Sequence, residues 1–205
     1  MRDIDVALNY DTKRMKYIRH QAVEVDFPTE ADYPSRLILL VEGEIAGETL
    51  YLLVNHWPSR YGGAEKSEGR RVRVAEVVRG LLDSFRQQSP DAELLLMGDF
   101  NDDPFDRSLT DVILAKESPD ALSSAALYSP LWGMHQVDSV GTLTYRGKWN
   151  MFDQLLLSPA LLDEAGKLRY VAGSATIHRP EFMQVGGDGN ARDMPRRAIY
   201  RGEFQ

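Results

Sequence analysis

A run of four apolar residues, 94–97, ends in a glycine and is followed at once by polar residues, in the stretch LLLMGDFNDDP. Such a run is typical of a strand that is buried on both faces of a sheet. Asp99 and Asn101 are two positions apart, so an extended backbone directs both side chains to the same side. A carboxylate and an amide at a strand end suit a hard divalent cation and an attacking water. The same residues also fit an ordinary turn before a helix that opens at Pro104, with Asp103 as its N-cap.

Two further apolar runs carry polar groups at their ends. Residues 50–54 lead into NHWPSR, so a second strand ends in titratable side chains that include His56. In FDQLLLS the order is reversed, because Asp153 precedes its apolar run. If this third strand is antiparallel to a neighbour, its start lies beside the neighbour's end. The pattern then predicts that Asp153 joins the same cluster.

The three segments NHWPSR, GDFNDDP and FDQLLLS, in this order, resemble the endonuclease/exonuclease/phosphatase superfamily of metal-dependent phosphoesterases, especially bacterial members with an NHWPSR-like motif. This superfamily includes DNase I-like nucleases, sphingomyelinases and inositol polyphosphate 5-phosphatases. The resemblance covers nearly the whole chain. It implies a four-layered sandwich of two mixed β-sheets flanked by helices, with the active site where strand ends converge. The pattern of elements alone indicates one mixed α/β (α+β) domain over residues 1–205.

The resemblance assigns chemical roles to four residues. It implies that Asp99 binds metal or polarises the nucleophilic water, and that Asn101 orients this water and the phosphate. It implies that His56 hydrogen-bonds a phosphoryl oxygen or transfers a proton, and that Asp153 steadies a histidine near the C-terminus. The implied cofactor is Mg²⁺ or Mn²⁺, with Asp99 and Asn101 among its ligands.

Five residues near these motifs are further candidates for substrate binding: Asn55, Ser59, Arg60, Trp149 and Asn150. Turn capping for Ser59 and core packing for Trp149 explain those two positions equally well. Three histidines stand outside the motifs and are expected to be ordinary surface or core residues: His20, His135 and His178.

Some residues that the resemblance implies are not found in the sequence. These are an Asn and a metal-binding Glu upstream, and a Ser-Asp-His motif near the C-terminus. We therefore expect an internal fragment of a longer enzyme, truncated at both ends, with an incomplete sandwich, low stability and little or no activity of its own. The alternative is a non-catalytic binding module descended from this fold. A serine hydrolase is rejected, because the sequence has no Gly-x-Ser-x-Gly elbow.

The charge of the chain bears on its substrate. A net charge of −7 gives little bulk attraction for nucleic acid, so a small phosphoester is somewhat favoured. The predicted partner is a phosphoester substrate, which is a small molecule, a lipid headgroup or a nucleic acid. Two groups of arginines could still form a basic patch: residues 70, 71 and 73, and residues 192, 196, 197 and 201. A solvated helix face and a charged tail explain most of these arginines. No run approaches the roughly 18 apolar residues of a membrane span, and no obligate protein partner is predicted. Substrate, compartment and oligomeric state stay open.

The remaining periodicities predict the order of elements. Strands are expected near 4–9, 17–26, 36–42, 49–55, 93–98, 142–146, 153–158 and 169–177. Apolar residues at i, i+4, i+7 and i+11 from Val74 predict a long helix near 66–88. A shorter helix is expected near 104–116, and a helix or irregular segment at 119–128. Gly43 and Gly47 predict a hairpin turn between two antiparallel strands.

Overall fold

The computed structural model describes residues 6–30, 33–120, 122–136, 140–178, 180, 184–185 and 194–195. Seven strands form one sheet: β1 (Lys16–Val23), β2 (Ile38–Ile45), β3 (Glu48–His56), β4 (Glu93–Asp99), β5 (Ala115–Lys116), β6 (Leu127–Tyr128) and β9 (Asp153–Leu157). Their spatial order is β1-β2-β3-β4-β9-β6-β5. Two small ribbons pair β7 (Leu143–Tyr145) with β8 (Lys148–Asn150), and β10 (Gln184–Val185) with β11 (Met194–Pro195). The mixed α/β class is confirmed.

The strand directions bring three strand ends to one edge of the sheet. Strands β2 and β3 form an antiparallel hairpin, as predicted, whose turn at Ala46 and Gly47 has positive φ angles of 56° and 83°. Strand β4 is parallel to β3, and the helix α1 (Ala64–Gln88) makes the crossover between them. Strand β9 is antiparallel to β4. The ends of β3 and β4 therefore lie beside the start of β9.

The long helix α1 covers one face of the sheet. The prediction of this helix is confirmed, and its first turn begins two residues before the expected start. Its buried stripe contacts leucines of β3, β4 and β9 in a single core cluster: Val74, Ala75, Val78 and Leu82 on the helix, and Leu53, Leu94, Leu96 and Leu156 on the strands. Since each fully buried leucine contributes roughly 2 kcal/mol, this face supplies much of the stability.

The opposite face of the sheet carries a smaller cluster. Its buried members are Met15, Val41, Leu50, Leu52, Leu157 and Leu161. Leu95 and Met97 on β4 are only partly buried there. The segment after β9 turns under the sheet through a short 3-10 helix, Pro159–Leu162, and then brings Leu168 and Tyr170 against this cluster.

Several local predictions are wrong. Residues 6–9 of the strand expected at 4–9 are irregular, and the rest of it lies outside the described residues. Residues 169–177 form no strand, because a turn closed by the bond from Ser174 N–H to the Val171 carbonyl, with Gly173 at φ 74°, interrupts the extended chain. The helix or irregular segment expected at 119–128 is irregular apart from β6, among its described residues 119–120 and 122–128, so the irregular alternative is confirmed.

The second expected helix, 104–116, is reduced to a single π-helical turn, Ser108–Ile113. The residues before it are held in a turn by a polar network, since the Asp106 carboxylate accepts the Asp103 backbone N–H at 2.7 Å. Leu114 then adopts a left-handed conformation, which ends the turn. None of the helices in the described part of the chain is long and apolar enough to cross a membrane.

Candidate functional site

Three titratable side chains meet at the edge where the strand ends converge. His56 is the last residue of β3 and is in register with Asp99, the last residue of β4. Asp99 is in turn in register with Asp153, the first residue of β9. His56 Nε2 lies 3.6 Å from Asp99 Oδ2. Strand β9 is antiparallel to β4, which was the condition for Asp153 to join this cluster, and the arrangement places two carboxylates and an imidazole on three adjacent strands.

The loops after β3 and β4 are joined around Asp99. Its carboxylate Oδ1 accepts the backbone N–H of Asn101 at 2.9 Å, and its carbonyl accepts the N–H of Trp57 at 2.8 Å. Asn101 has a φ of 51°, a left-handed conformation that asparagine tolerates better than most residues. Its Nδ2 donates to the Trp57 carbonyl at 3.0 Å. Asp99 and Asn101 are therefore held in fixed positions by the backbone of the neighbouring loop.

Gly98 allows β4 to approach β3 closely beside this site. Its φ is +132°, and a Cβ at this position would lie 2.0 Å from the carbonyl oxygen of Asn55. No side chain fits that distance, since the obstacle is backbone and cannot rotate away. Glycine at this position is therefore a steric requirement for the observed placement of Asp99.

We expect Gly98→Ala to destabilise the fold by about 2–3 kcal/mol, from backbone strain and the displacement of β3. Urea unfolding followed by circular dichroism measures this change. The matched control is Gly80→Ala, on an exposed position of α1 where the added methyl meets no atom within 4 Å. There alanine should stabilise the helix by up to about 1 kcal/mol. Equal stability of Gly98→Ala and the wild type would contradict the steric argument.

Burial shifts the titration of all three groups. It raises the pKa of Asp99, against the hydrogen bond from Asn101 and the positive charge of Arg36. It also raises the pKa of Asp153, where the hydrogen bond with Thr142 opposes the rise and the charge of Asp99 adds to it. Asp153 is exposed as a whole residue, while protein atoms displace part of the water around its carboxyl group.

The imidazole of His56 shifts in the opposite sense. Burial lowers the pKa of His56, the nearby positive charge of Arg36 lowers it further, and the negative charge of Asp153 opposes both. At neutral pH the ring is therefore mainly uncharged, with one nitrogen able to donate a hydrogen bond and the other able to accept one.

This balance of charges gives a directional test. Replacing Arg36 with glutamine should raise the pKa of His56, because a repelling cation is removed. Asp153→Asn should lower the pKa of His56 further, because an attracting anion is removed. The pH titration of the His56 ring signals by NMR measures both shifts. Arg107→Gln, at an exposed position of the turn before the π-helical segment, is the control and should leave the midpoint unchanged. Identical midpoints in all variants would contradict these charge contributions.

The sequence interpretation missed Arg36. Arg36 lies two residues before β2. Leu39 of β2 is opposite Val54 of β3, so the start of β2, near Arg36, lies beside the end of β3 at His56. The predicted hairpin already contained this signal, because the start of the first strand of a hairpin lies beside the end of the second.

Two of the candidate substrate-binding residues, Asn55 and Arg60, contact other parts of the protein. Asn55 is buried, its Nδ2 donates to the Leu53 carbonyl, and its Oδ1 accepts from the indole N–H of Trp57 at 3.0 Å. It therefore fixes the loop from inside rather than facing a ligand. Arg60 donates through Nε to the Asn101 carbonyl at 2.8 Å and lies over the ring of Phe152. Its guanidinium is also paired with carboxylates, so it holds Asn101 in place.

The other three candidates lie nearer the surface. Ser59 is exposed, and Trp149 and Asn150 on β8 are partly buried. The backbone of Asn150 pairs with the chain at Thr142, whose hydroxyl oxygen accepts the Asp153 N–H at 3.1 Å. The β7–β8 ribbon thus lies next to the start of β9, and the role of these three residues stays a prediction.

The two acids after Asn101 do not cap a helix. Asp103 accepts the backbone N–H of Met151 at 2.7 Å, which joins the loop after β4 to the segment before β9. Asp102 is buried and pairs with Arg71 at 2.6 Å, and it also accepts the Ser108 hydroxyl. Arg71 is only 1% exposed, so it is an exception to the solvated helix face that explains most of these arginines.

The donor set at the strand ends can be compared with what a divalent cation requires. Among residues 6–30, 33–120, 122–136, 140–178 and the few described beyond, no group of three or more His, Asp or Glu side chains is placed to hold a metal ion. Mg²⁺ is commonly bound by one or two carboxylates and several waters. Asp99 and Asp153, which are in register on β4 and β9, would supply two carboxylates, and the chemistry of this donor set fits a cation that keeps much of its water.

Comparison with known proteins identifies the class. The chain matches the Endonuclease/Exonuclease/phosphatase family model over residues 1–204, and it therefore belongs to this family. The resemblance seen in the three motifs is confirmed. No curated protein matches the chain.

Solved structures agree at the level of the fold. The human Nocturnin catalytic domain with bound sulfate anion aligns with a TM-score of 0.51 at 19% identity, covering 71% of this chain and 49% of that one. A truncated TDP2 from Caenorhabditis elegans aligns with a TM-score of 0.49 at 18% identity, covering 71% and 54%. The chain thus spans about half the length of the structures that it matches, and the Nocturnin alignment supports the fold alone.

Proposed function

We propose that this chain is a single domain of a Mg²⁺- or Mn²⁺-dependent phosphoesterase, which hydrolyses a phosphodiester or a phosphomonoester. The observation that supports this proposal is the convergence of His56, Asp99 and Asp153 at one edge of the sheet. Membership of the family supports the class of reaction. The proposed partner is a phosphoester substrate, and no protein partner is invoked.

The proposed roles follow from the chemistry of each group. Hydrolysis joins a water oxygen to phosphorus and breaks the bond from phosphorus to the leaving oxygen, which departs with a proton. Asp99 accepts the proton of the water or orients this water, and the amide of Asn101 helps to position it. The neutral ring of His56 donates a hydrogen bond to a phosphoryl oxygen. A divalent cation held by Asp99, with Asn101 or Asp153 nearby, would neutralise charge on the phosphoryl group.

We expect the 205-residue chain to be a slow catalyst by itself. Two carboxylates bind Mg²⁺ weakly when no third acidic ligand is close by, and groups that act as a unit lose far more than their share when one is missing. Hydrolysis well below that of a family enzyme with a complete site is therefore the expected result. A rate within about tenfold of such an enzyme would contradict this expectation.

The experiment measures release of p-nitrophenol from p-nitrophenyl phosphate and from its bis ester, with Mg²⁺, Mn²⁺ or EDTA. We expect a low rate that requires the cation. A rate that EDTA leaves unchanged would contradict metal dependence. No hydrolysis of either ester at high enzyme concentration would favour the second function.

The second candidate function is a non-catalytic binding module of the same fold. The observation that favours it is the lack of a three-ligand acidic cluster among the described residues. Such a module would bind phosphate or a phosphoester without turnover. Saturable binding of phosphate by isothermal titration calorimetry, together with no hydrolysis, would support it.

A further inference from the structure

A cavity of about 430 Å³ opens directly beside Asp153. Met97 on β4 and Leu155 on β9 form its floor, on the sheet face opposite α1. Leu131 and Ile177 form its sides, and both belong to the small apolar cluster built around Met151. The cavity is thus an open cleft, with the sheet on one side and the segment near residue 177 on the other.

The cavity is continuous with the candidate site. Gly98 and Asp153 line it, and Asp153 is in register with Asp99 across the β4–β9 pair. A phosphoryl group held between Asp99 and His56 would therefore have one of its ester groups directed towards this space. The polar atoms around the opening come from Thr142, Asp153, Gln154 and the 176–178 segment.

The composition of the lining indicates what can enter. Among the described residues that line the cavity there is no lysine or arginine. A nucleic acid backbone or a second phosphate that extended into this space would face the Asp153 carboxylate without a lysine or arginine of the described lining to offset the repulsion. An alkyl or aromatic group instead replaces water at Met97, Leu155 and Ile177, which is favourable.

We propose that this cavity binds an apolar ester group of the substrate, so that the site prefers alkyl or aryl phosphoesters to nucleic acid. This inference rests on the proposed function, whose phosphoryl site it extends. The substrate class is defined by the shared chemistry of a hydrocarbon group next to a phosphate.

Phosphonates test the pocket without turnover, because their carbon–phosphorus bond is not hydrolysed. Isothermal titration calorimetry with phenylphosphonate, hexylphosphonate and methylphosphonate should show binding about tenfold tighter for the two larger compounds, since each buries more apolar area. The phenyl and hexyl arms distinguish an aromatic group from a lipid-like chain. Met97→Gln and Ile177→Gln should each reduce this preference severalfold.

The matched control is Leu95→Gln. Leu95 lies on the same face of β4, two residues further from the site, and does not line the cavity. It should retain the preference, and circular dichroism verifies the fold of each variant. Four results would overturn the inference. The three phosphonates bind equally, or none of them binds. The preference is unchanged in both cavity variants, or a short deoxythymidine oligonucleotide binds more tightly than the phosphonates.

Hydrolysis of p-nitrophenyl phosphate by the same preparation separates the two proposals. Hydrolysis without any phosphonate preference contradicts the pocket alone. The preference without hydrolysis supports the pocket and contradicts the phosphoesterase.

Discussion

Asp99→Asn is expected to reduce phosphoester hydrolysis to the rate measured with EDTA, because it removes the charge that orients or deprotonates the attacking water. The asparagine retains the shape of the side chain and can still accept the backbone N–H of Asn101 through its oxygen. The fold should therefore survive while the chemistry is lost. The measurement is the p-nitrophenol release rate with saturating Mn²⁺ at high enzyme concentration, and Mn²⁺ binding followed by electron paramagnetic resonance.

The control for this variant lies at the other end of the same strand. Asp91 is exposed and precedes β4, so Asp91→Asn changes the net charge equally without touching the site. It should leave both the rate and the Mn²⁺ affinity unchanged. Equal rates for Asp99→Asn and Asp91→Asn would remove Asp99 from the reaction, and GDFNDDP would then be a turn that only joins β4 to the π-helical segment.

The position of the site could be predicted because it depends on local pattern and strand direction. Three apolar runs with polar residues at one end gave β3, β4 and β9, and the reversed order in FDQLLLS placed Asp153 with the other two ends on the condition that its strand is antiparallel, as it is. The helix α1 followed from its apolar period in the same way. These features need only the periods of helix and strand and the rule that antiparallel neighbours reverse direction.

The polar network below the site could not be predicted, because it depends on which charges tertiary packing buries. Arg71 has the same sequence surroundings as Arg70 and Arg73, yet it faces the core while they pair with Glu30 and Asp26 on the surface. The acids after Asn101 look like helix caps in the sequence. Their actual partners are separated from them by up to about fifty residues, and no local pattern encodes such pairs.

Arg71 and Asp102 form the most deeply buried ion pair at this edge, each with a side chain only 2% exposed. Arg71 also donates to the Ser67 hydroxyl and to the Ala64 carbonyl, so it ties the first turns of α1 to the loop that carries Asn101. Burial raises the pKa of Asp102 to about 6, against the hydrogen bond from Ser108 and the charge of Arg71. At neutral pH the Asp102 carboxylate is mostly ionised, and the positive charge of Arg71 stabilises this ionised form.

Arg71→Met should destabilise the fold by about 3–5 kcal/mol at pH 8, because it leaves a buried carboxylate without its closest cation. The pKa of Asp102 should then rise above 6, since an attracting charge has been removed. A carboxyl group whose pKa is raised in the folded state costs stability above that pKa and costs none below the unfolded value. The loss should therefore shrink as the pH falls from 8 to 5, as measured by urea unfolding at each pH.

Adding Asp102→Asn to Arg71→Met removes the ionisable group, so the double variant should lose this pH dependence and recover part of the stability. Arg107→Met, in an exposed pair with Asp111, is the control and should cost less than about 1 kcal/mol. A loss for Arg71→Met that is the same at pH 5 and pH 8 would show that Arg71 acts by packing alone, with no electrostatic part in holding the loop of Asn101.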